Sequence, residues 1–186
     1  DNRSLPGIKV NVIMGRDAGW LTAASVLARK KEGDGPHLIY LPEVPFTVEQ
    51  FIADVKRAND KYGRCVICVS EGIRDGDGTL WAETAGRQLA AGLKDEAKNL
   101  FGKPKLDAFG HFQLSGTGVL ADFLAGRIKE GTDVSRVRAD TFGYLQRSFP
   151  GFASKVDAKE ARLVGRTAVK YACQGLEGSV AIKRKP

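Results

Sequence analysis

A six-residue loop, Met14 to Gly19, has the composition of an anion-binding site and is called here the Arg16 loop. Its two glycines let the backbone pass close to a ligand, and the amphipathic segment behind it would begin a helix with unpaired N–H groups. An arginine adds a planar fork for phosphate. Charge-assisted hydrogen bonds contribute about 1.5–3 kcal/mol each, against about 0.3–1 kcal/mol for a helix terminus, so Arg16 should dominate the affinity. The alternative is an ordinary strand-to-helix turn with a solvated arginine.

Two glutamates follow the next two apolar runs of the chain. Glu71 lies between Ser70 and Gly72, and Glu43 lies in a stiff Pro-Glu-Val-Pro turn. In a parallel α/β sheet the loops after the strands gather at one edge, so both acids should lie near the Arg16 loop. Glu71 could accept hydrogen bonds from sugar hydroxyls, with a solvated loop acid as the alternative. For Glu43 the turn favours a structural role.

A third candidate segment runs from Arg138 to Arg147. An arginine stands at each end, nine positions apart, and Tyr144 lies between them at a glycine turn. Two arginines and a phenol that converge on one edge would suit a phosphate and a hydroxylated ring. Arg138 could instead pair with an acid on a neighbouring strand.

Short apolar runs alternate with longer amphipathic segments along the chain. This pattern predicts one α/β domain over residues 1–186, with a doubly wound, mostly parallel sheet and helices on both faces. Predicted strands cover residues 8–13, 38–41, 65–69, 106–114, 137–142 and 179–182. Predicted helices cover residues from 20 to about 33, 47–63, 80–101, 119–130 and 157–175, the second and last beginning with capping boxes at Thr47 and Asp157.

Metal and dinucleotide sites are not expected on this chain. Cys65 and Cys68 lie in an apolar run, and residues three apart on a strand face opposite ways, so these thiols should pack in the core. With two histidines in the sequence we expect neither zinc nor haem. The stretch from Gly116 to Ala121 matches a dinucleotide fingerprint, but a polar segment precedes it where an apolar strand should stand, so NAD is not expected.

The net charge of +7 favours an anionic partner. The basic residues are scattered rather than clustered with aromatics, which argues against nucleic acid. The sequence contains neither an apolar run of membrane-spanning length nor a signal-peptide pattern at its start, which predicts a cytoplasmic protein with no membrane partner.

Taken together, these loops resemble the phosphofructokinase family. The family's sugar-phosphate lobe has a strand that ends in Met-Gly-Arg, then a Pro-Glu-Val turn, a strand that ends in glutamate, and a segment Arg-x4-Gly-His-x-Gln-Arg. All four occur here in that order, with Tyr144 in place of the histidine, and the resemblance covers most of the chain from about Ile8.

The resemblance implies a site for fructose 6-phosphate. Its contacts would come from Met14, Gly15, Arg16, Glu71, Arg138, Tyr144 and Arg147. Arg16 would be catalytic, stabilising charge on the transferring phosphoryl group. Glu71 would hold sugar hydroxyls, and the last two arginines would bind the 6-phosphate. In this family such an arginine can come from a neighbouring subunit, which implies a homo-oligomer. Tyr144 and Trp20 are typical of the pyrophosphate-using branch, with ATP as the alternative donor.

Two family motifs are absent from the sequence. Neither the Gly-Gly-Asp donor loop nor the Thr-Ile-Asp-Asn-Asp stretch occurs in the 186 residues. The resemblance therefore implies that the general base and the main Mg²⁺ ligands lie elsewhere in a longer enzyme, and that this chain alone transfers no phosphate. A non-catalytic sugar-phosphate-binding or regulatory module is the main alternative, and a dinucleotide-binding domain is a weaker one.

Overall fold

A computed structural model describes residues 5–92, 118–144 and 149–183. Four strands form a fully parallel sheet in the order β2-β3-β1-β4. They are β1 (Gly7–Ile13), β2 (Leu38–Tyr40), β3 (Arg64–Ser70) and β4 (Val137–Thr141). This confirms the predicted α/β class and the four predicted strands that these bounds match.

Strand β1 lies inside the sheet, between β3 and β4, and buries Ile8, Val10 and Val12. It pairs with β3 from Gly7 opposite Arg64 to Ile13 opposite Ser70, and with β4 from Ile8 to Val12. Buried strands of parallel sheets are typically rich in such β-branched residues. The strands β1 and β3 therefore end level with each other, which brings their following loops together.

One face of the sheet carries the main hydrophobic core under three helices. Helix α2 (Val48–Tyr62) contributes Phe51 and Val55, which are fully buried; α3 (Trp81–Gly92) and α4 (Val119–Gly131) pack beside it. The Thr47 hydroxyl accepts a hydrogen bond from the N–H of Gln50, and Gly63 ends α2 in the left-handed conformation, as the capping box and glycine predicted.

The other face is covered near β2 and β3 by α1 (Trp20–Ala24) and a 3₁₀ turn (Ser25–Ala28). Cys68 points to this face, where its thiol lies within hydrogen-bonding reach of the Ser25 hydroxyl. Cys65 points into the main core. The two cysteines therefore face opposite ways, as the strand interpretation predicted.

Three predictions of secondary structure were wrong. The first helix was predicted from residue 20 to about 33, but α1 ends at Ala24 and the 3₁₀ turn after it ends at Ala28. Residues 179–182 form no strand, because an apolar run becomes a strand only where a partner supplies the ladder of hydrogen bonds. The last helix, α5 (Lys155–Ala172), has its N-cap at Ser154 rather than at Asp157; the Ser154 hydroxyl accepts from the N–H of Asp157. The predicted strand at 106–114 and the predicted part of α3 beyond Gly92 lie outside the described residues.

The chain divides into two compact units, residues 1–144 and 145–186. The first unit contains the sheet and the Arg16 loop. The second contains a 3₁₀ turn (Pro150–Phe152) and α5. Within the ranges that the structure describes, no helix has both the length and the apolar character needed to cross a bilayer.

Candidate functional site

The Arg16 loop begins directly after β1, at the edge where the strands end, which is called here the carboxyl edge. Both backbone polar groups of Gly15 are hydrogen-bonded. Its N–H donates to Oε1 of Glu71 at 3.3 Å, and its carbonyl accepts from the Ser70 hydroxyl. Its φ of +151° lies in the region that favours glycine, and a Cβ there would come within 2.6 Å of the Ala18 carbonyl oxygen. The end of β3 thus holds the start of the loop.

Gly72 lies against the backbone of the same loop. A Cβ on Gly72 would approach the Arg16 carbonyl oxygen to 1.9 Å and that of Gly15 to 2.4 Å. Only a residue without a side chain allows the two loops to pass this closely. This close approach restricts the positions of the Gly15 and Arg16 carbonyl groups.

The end of the Arg16 loop is held by the turn after β2. Glu43 accepts a hydrogen bond from the N–H of Gly19 through Oε1 at 2.8 Å, just ahead of α1. A Cβ on Gly19 would meet side-chain atoms of Leu41 and Pro42 at 2.8 and 2.9 Å. This agrees with the structural role that the sequence favoured for Glu43.

These contacts change the source of any anion affinity in the loop. The N–H groups of Gly15 and Gly19 are both engaged by carboxylates of the chain itself. An anion would therefore depend on the Arg16 guanidinium more than on backbone donors. Arg16 and Met14 are both half-buried at the carboxyl edge, next to the buried Glu71. The structure thus brings together four predicted site residues: Met14, Gly15, Arg16 and Glu71.

Arg74 makes a further contact with the Arg16 loop. Its Nη2 lies 2.8 Å from Oδ1 of Asp17, and its Nη1 donates to the carbonyl of Gly78 at 3.0 Å. Sequence reasoning missed this pair, and it also missed the Ser70 hydroxyl as a holder of the loop. The Ser-Glu-Gly sequence at the end of β3 could have indicated the role of Ser70. The ion pair joins residues 57 apart, and no local sequence pattern indicates it.

Arg138 lies away from this cluster along the sheet, whereas Tyr144 follows the carboxyl end of β4. Arg138 stands opposite Lys9, four residues before the end of β1, and so about 13 Å from the carboxyl edge. Its side chain is exposed on the edge strand β4, and Tyr144 is 47% exposed beyond the end of that strand. The acid on strand β4, Asp140, pairs with Lys9 of β1 rather than with Arg138. Arg147 lies outside the described residues.

The buried thiols of β3 are poorly suited to metal or redox chemistry. Burial raises the pKa of Cys65 to about 12 and also raises the pKa of Cys68, so neither forms a thiolate readily. Among residues 5–92, 118–144 and 149–183, no group of three acidic, histidine or cysteine side chains could hold a metal ion. Glu43 and Glu71 each hold a backbone N–H of the Arg16 loop and belong to no group of three possible ligands among the described residues, so those residues do not form a Mg²⁺ site.

The dinucleotide fingerprint is only partly described. Gly118 precedes α4 with φ of +70°, and Leu120 and Ala121 are buried in the main core. The two core contacts explain the apolar spacing of this segment by packing. Gly116 lies outside the described residues.

The fold and the clustered loops define a class of protein, an α/β lobe that presents a glycine-rich, arginine-containing loop at the carboxyl edge of a parallel sheet. The phosphofructokinase family model matches residues 3–172, so the chain belongs to the phosphofructokinase family. It is 50% identical over 99% of its length to a pyrophosphate–fructose 6-phosphate 1-phosphotransferase of Rhodospirillum rubrum, and 41% identical over 92% to one of Halomonas elongata.

Solved structures agree with this assignment. A pyrophosphate-dependent phosphofructokinase from Marinobacter aquaeolei matches with a TM-score of 0.61 at 28% identity, over 94% of this chain and 34% of that one. The chain spans 42% of the Rhodospirillum protein and 36% of the Halomonas protein, so it corresponds to less than half of each.

Proposed function

We propose that the chain forms the sugar-phosphate-binding part of a phosphotransferase that uses pyrophosphate to phosphorylate the 1-hydroxyl of fructose 6-phosphate, giving fructose 1,6-bisphosphate. The observation that carries the proposal is the Arg16 loop, which is held at the carboxyl edge beside the buried Glu71. The family match and the pyrophosphate-using relatives support the choice of substrate and donor. The reaction belongs to glycolysis, and we propose a cytoplasmic protein.

Each residue of the cluster has a part in this proposal. Arg16 stabilises charge on the phosphoryl group during transfer, while Met14 and the backbone of Gly15 line the sugar. The Glu71 carboxylate has about four acceptor positions, so it can hold the Gly15 N–H and also accept from sugar hydroxyls. Its burial strengthens both interactions, because the local dielectric is low.

We propose that Arg138, Tyr144 and Arg147 complete the site of a second copy of the chain. Arg138 is exposed on an edge strand about 13 Å from the Arg16 loop of its own chain, a placement suited to a neighbour's 6-phosphate. The Tyr144 phenol can donate a hydrogen bond to the same phosphate. The protein would then be a homo-oligomer whose sites are shared between subunits.

The donor side of the reaction belongs to the rest of a longer protein. Its relatives are more than twice as long as this chain, and the sequence lacks the Gly-Gly-Asp and Thr-Ile-Asp-Asn-Asp motifs. We therefore assign the general base and the acids that hold Mg²⁺ to that other part. Bound Mg²⁺ would neutralise charge on the transferring phosphate. The 186 residues alone should turn over no fructose 6-phosphate with pyrophosphate or ATP, and measurable turnover would contradict this division.

Calorimetric titration of the chain with fructose 6-phosphate tests the proposed site. Arg16→Met should weaken binding roughly tenfold or more, since one charge-assisted hydrogen bond contributes about 1.5–3 kcal/mol. Arg127→Met is the matched control, because Arg127 is a partly exposed arginine in a 2.8 Å ion pair on α4, away from the Arg16 loop. Equal affinity of the Arg16→Met variant and the unmodified chain would overturn the proposal.

A further inference from the structure

We propose that Arg74 is a positioning residue of the sugar-phosphate site, which holds Asp17 and cancels its negative charge next to Arg16. This inference rests on the proposed function, since it assumes that the Arg16 loop binds a phosphorylated sugar. It adds a residue from the segment after β3 to the site, and it gives a reason for an acid in a loop that binds an anion.

Asp17 is close to Arg16 by covalent geometry. Consecutive Cα atoms are about 3.8 Å apart, so the Asp17 carboxylate belongs to the same short loop as the guanidinium that would bind the ligand, and its charge acts on that ligand through space. A sugar phosphate carries a charge of about −1.5 to −2 at neutral pH, as other phosphate monoesters do. Without a cation beside it, Asp17 would therefore repel the ligand that Arg16 attracts.

Arg74 is built to hold Asp17 from a fixed position. Its backbone carbonyl accepts from the N–H of Phe46 at 2.7 Å, and the residue forms a β-bridge with Leu80. Its guanidinium donates at one nitrogen to the Gly78 carbonyl and at the other to Asp17. The cation is thus anchored on one side by the turn and reaches the Arg16 loop on the other.

The pair contributes little to the stability of the fold. The side chain of Asp17 is 77% exposed and that of Arg74 is 32% exposed, and ion pairs in contact with solvent contribute little to stability. Removal of the cation should therefore leave the protein folded. Its main effect should be an uncompensated carboxylate beside Arg16, which acts on charged ligands.

A charge-rescue experiment tests the proposal on the whole 186-residue chain. Binding of fructose 6-phosphate is measured by calorimetry at low and at high salt for the unmodified chain and for Arg74→Met, Asp17→Asn and the double variant. We expect Arg74→Met to raise the Kd roughly fivefold at low salt and less at high salt, since salt screens the exposed carboxylate. The double variant should return to within roughly twofold of the unmodified chain, because the unpaired charge is gone.

The rescue separates charge from structure. Asp17→Asn cannot restore the hydrogen bond between Arg74 and Gly78, so a purely structural defect would persist in the double variant. Arg127→Met, which removes an arginine of similar exposure from a 2.8 Å ion pair, should leave the Kd unchanged. Arg74→Lys, which keeps a cation, should bind better than Arg74→Met.

Two results would overturn the inference while the proposed function stands. One is an unchanged Kd in Arg74→Met, and the other is a double variant that binds as weakly as Arg74→Met. In both cases Arg16→Met would still bind fructose 6-phosphate more weakly than the unmodified chain. Failure of the unmodified chain to bind fructose 6-phosphate, or unimpaired binding by Arg16→Met, would instead overturn the proposed function and this inference with it.

Discussion

The carboxyl edge and strand β4 each carry an arginine of the candidate site, but the surroundings of the two arginines differ. At the carboxyl edge the Arg16 loop is fixed by Ser70, Glu71 and Glu43, and Gly72 leaves no room for a side chain. On β4, the outermost of the four strands that the structure describes, Arg138 is exposed.

The difference teaches which part of a binding site a single chain can complete. Pre-organised groups lose little freedom when they bind a ligand, so the carboxyl edge is suited to hold an acceptor without rearrangement. An exposed arginine on an edge strand has to be ordered by its ligand or by a second molecule. This contrast is the reason for our proposal that two subunits share the site.

Gly72→Ala should have the largest effect, and it acts on the carboxyl edge. The new Cβ would lie 1.9 Å from the Arg16 carbonyl oxygen, so the two loops must separate, at a cost of about 3 kcal/mol in the free energy of unfolding. Urea denaturation measures the change. Gly76→Ala is the control, because nothing lies within 4 Å of its Cβ position, and it should stay within about 0.5 kcal/mol of the unmodified chain. Similar costs for both would contradict the close packing of the loops.

Glu43→Ala should have a smaller effect at the same edge. It removes the acceptor for the Gly19 N–H ahead of α1, a loss similar to that of a helix N-cap, about 1 kcal/mol. Hydrogen exchange should show faster exchange at Gly19, with little change at the N–H of Glu71, which donates to the Ile13 carbonyl. Unchanged protection at Gly19 would show that the bond to Glu43 does not hold the loop.

His37, which directly precedes β2, makes the stability of the fold depend on pH. Its Nδ1 accepts from the N–H of Val66 at 2.8 Å, which requires the neutral ring, and burial, with the nearby Arg64 and Arg29, lowers its pKa. The folded protein therefore binds this proton less readily than the unfolded chain. The stabilisation that the neutral His37 ring provides is complete above the unfolded pKa of about 6.5. It is lost as the pH falls below that value.

His37→Asn provides the test, because its amide oxygen can replace the Nδ1 acceptor without titrating. Stability of the two proteins is compared by urea denaturation between pH 7.5 and 5, which are conditions of the experiment set around the histidine pKa of about 6.5. The difference between them should change only below about pH 6.5, with the unmodified chain losing more. A difference that is constant over this range would contradict a neutral His37.

Arg138→Met should have the smallest effect on stability, within about 0.5 kcal/mol, since the side chain is exposed. Its effect on fructose 6-phosphate binding should appear only at protein concentrations where the chain self-associates, as followed by sedimentation velocity. An equal loss of affinity in the monomer would mean that Arg138 acts within its own chain, and the contrast with the carboxyl edge would fail.

Much of this fold could be predicted because local signals and the global fold agree. Strand β3 contains a continuous apolar run, β1 is rich in β-branched residues, and α2 has both a cap at Thr47 and a stop at Gly63. The last helix was misplaced because Asp157 with Glu160 looks like a capping box, while Ser154 three residues earlier also supplies a capping hydroxyl. Sequence alone does not rank two adjacent caps.

The site was predictable where residues follow strands directly, as Arg16 and Glu71 do. We expected Arg138, Tyr144 and Arg147 to converge on one edge of the sheet. This convergence is not seen in the described residues, and the predicted strand bounds already gave the reason. A strand that begins at Val137 places Arg138 at its amino end, away from the edge where parallel strands finish. The Asp17–Arg74 pair depends on tertiary structure and had no sequence signal.

The most direct test of the central claim is a map of fructose 6-phosphate binding by ¹⁵N–¹H correlation spectra of the chain. The claim is that the Arg16 loop at the carboxyl edge receives the sugar phosphate. It predicts the largest shift changes at the amides of Gly15, Arg16 and Glu71, and their disappearance in Arg16→Met. Saturable shifts centred on Gly118 to Ala121, with the Arg16 loop unmoved, would contradict it.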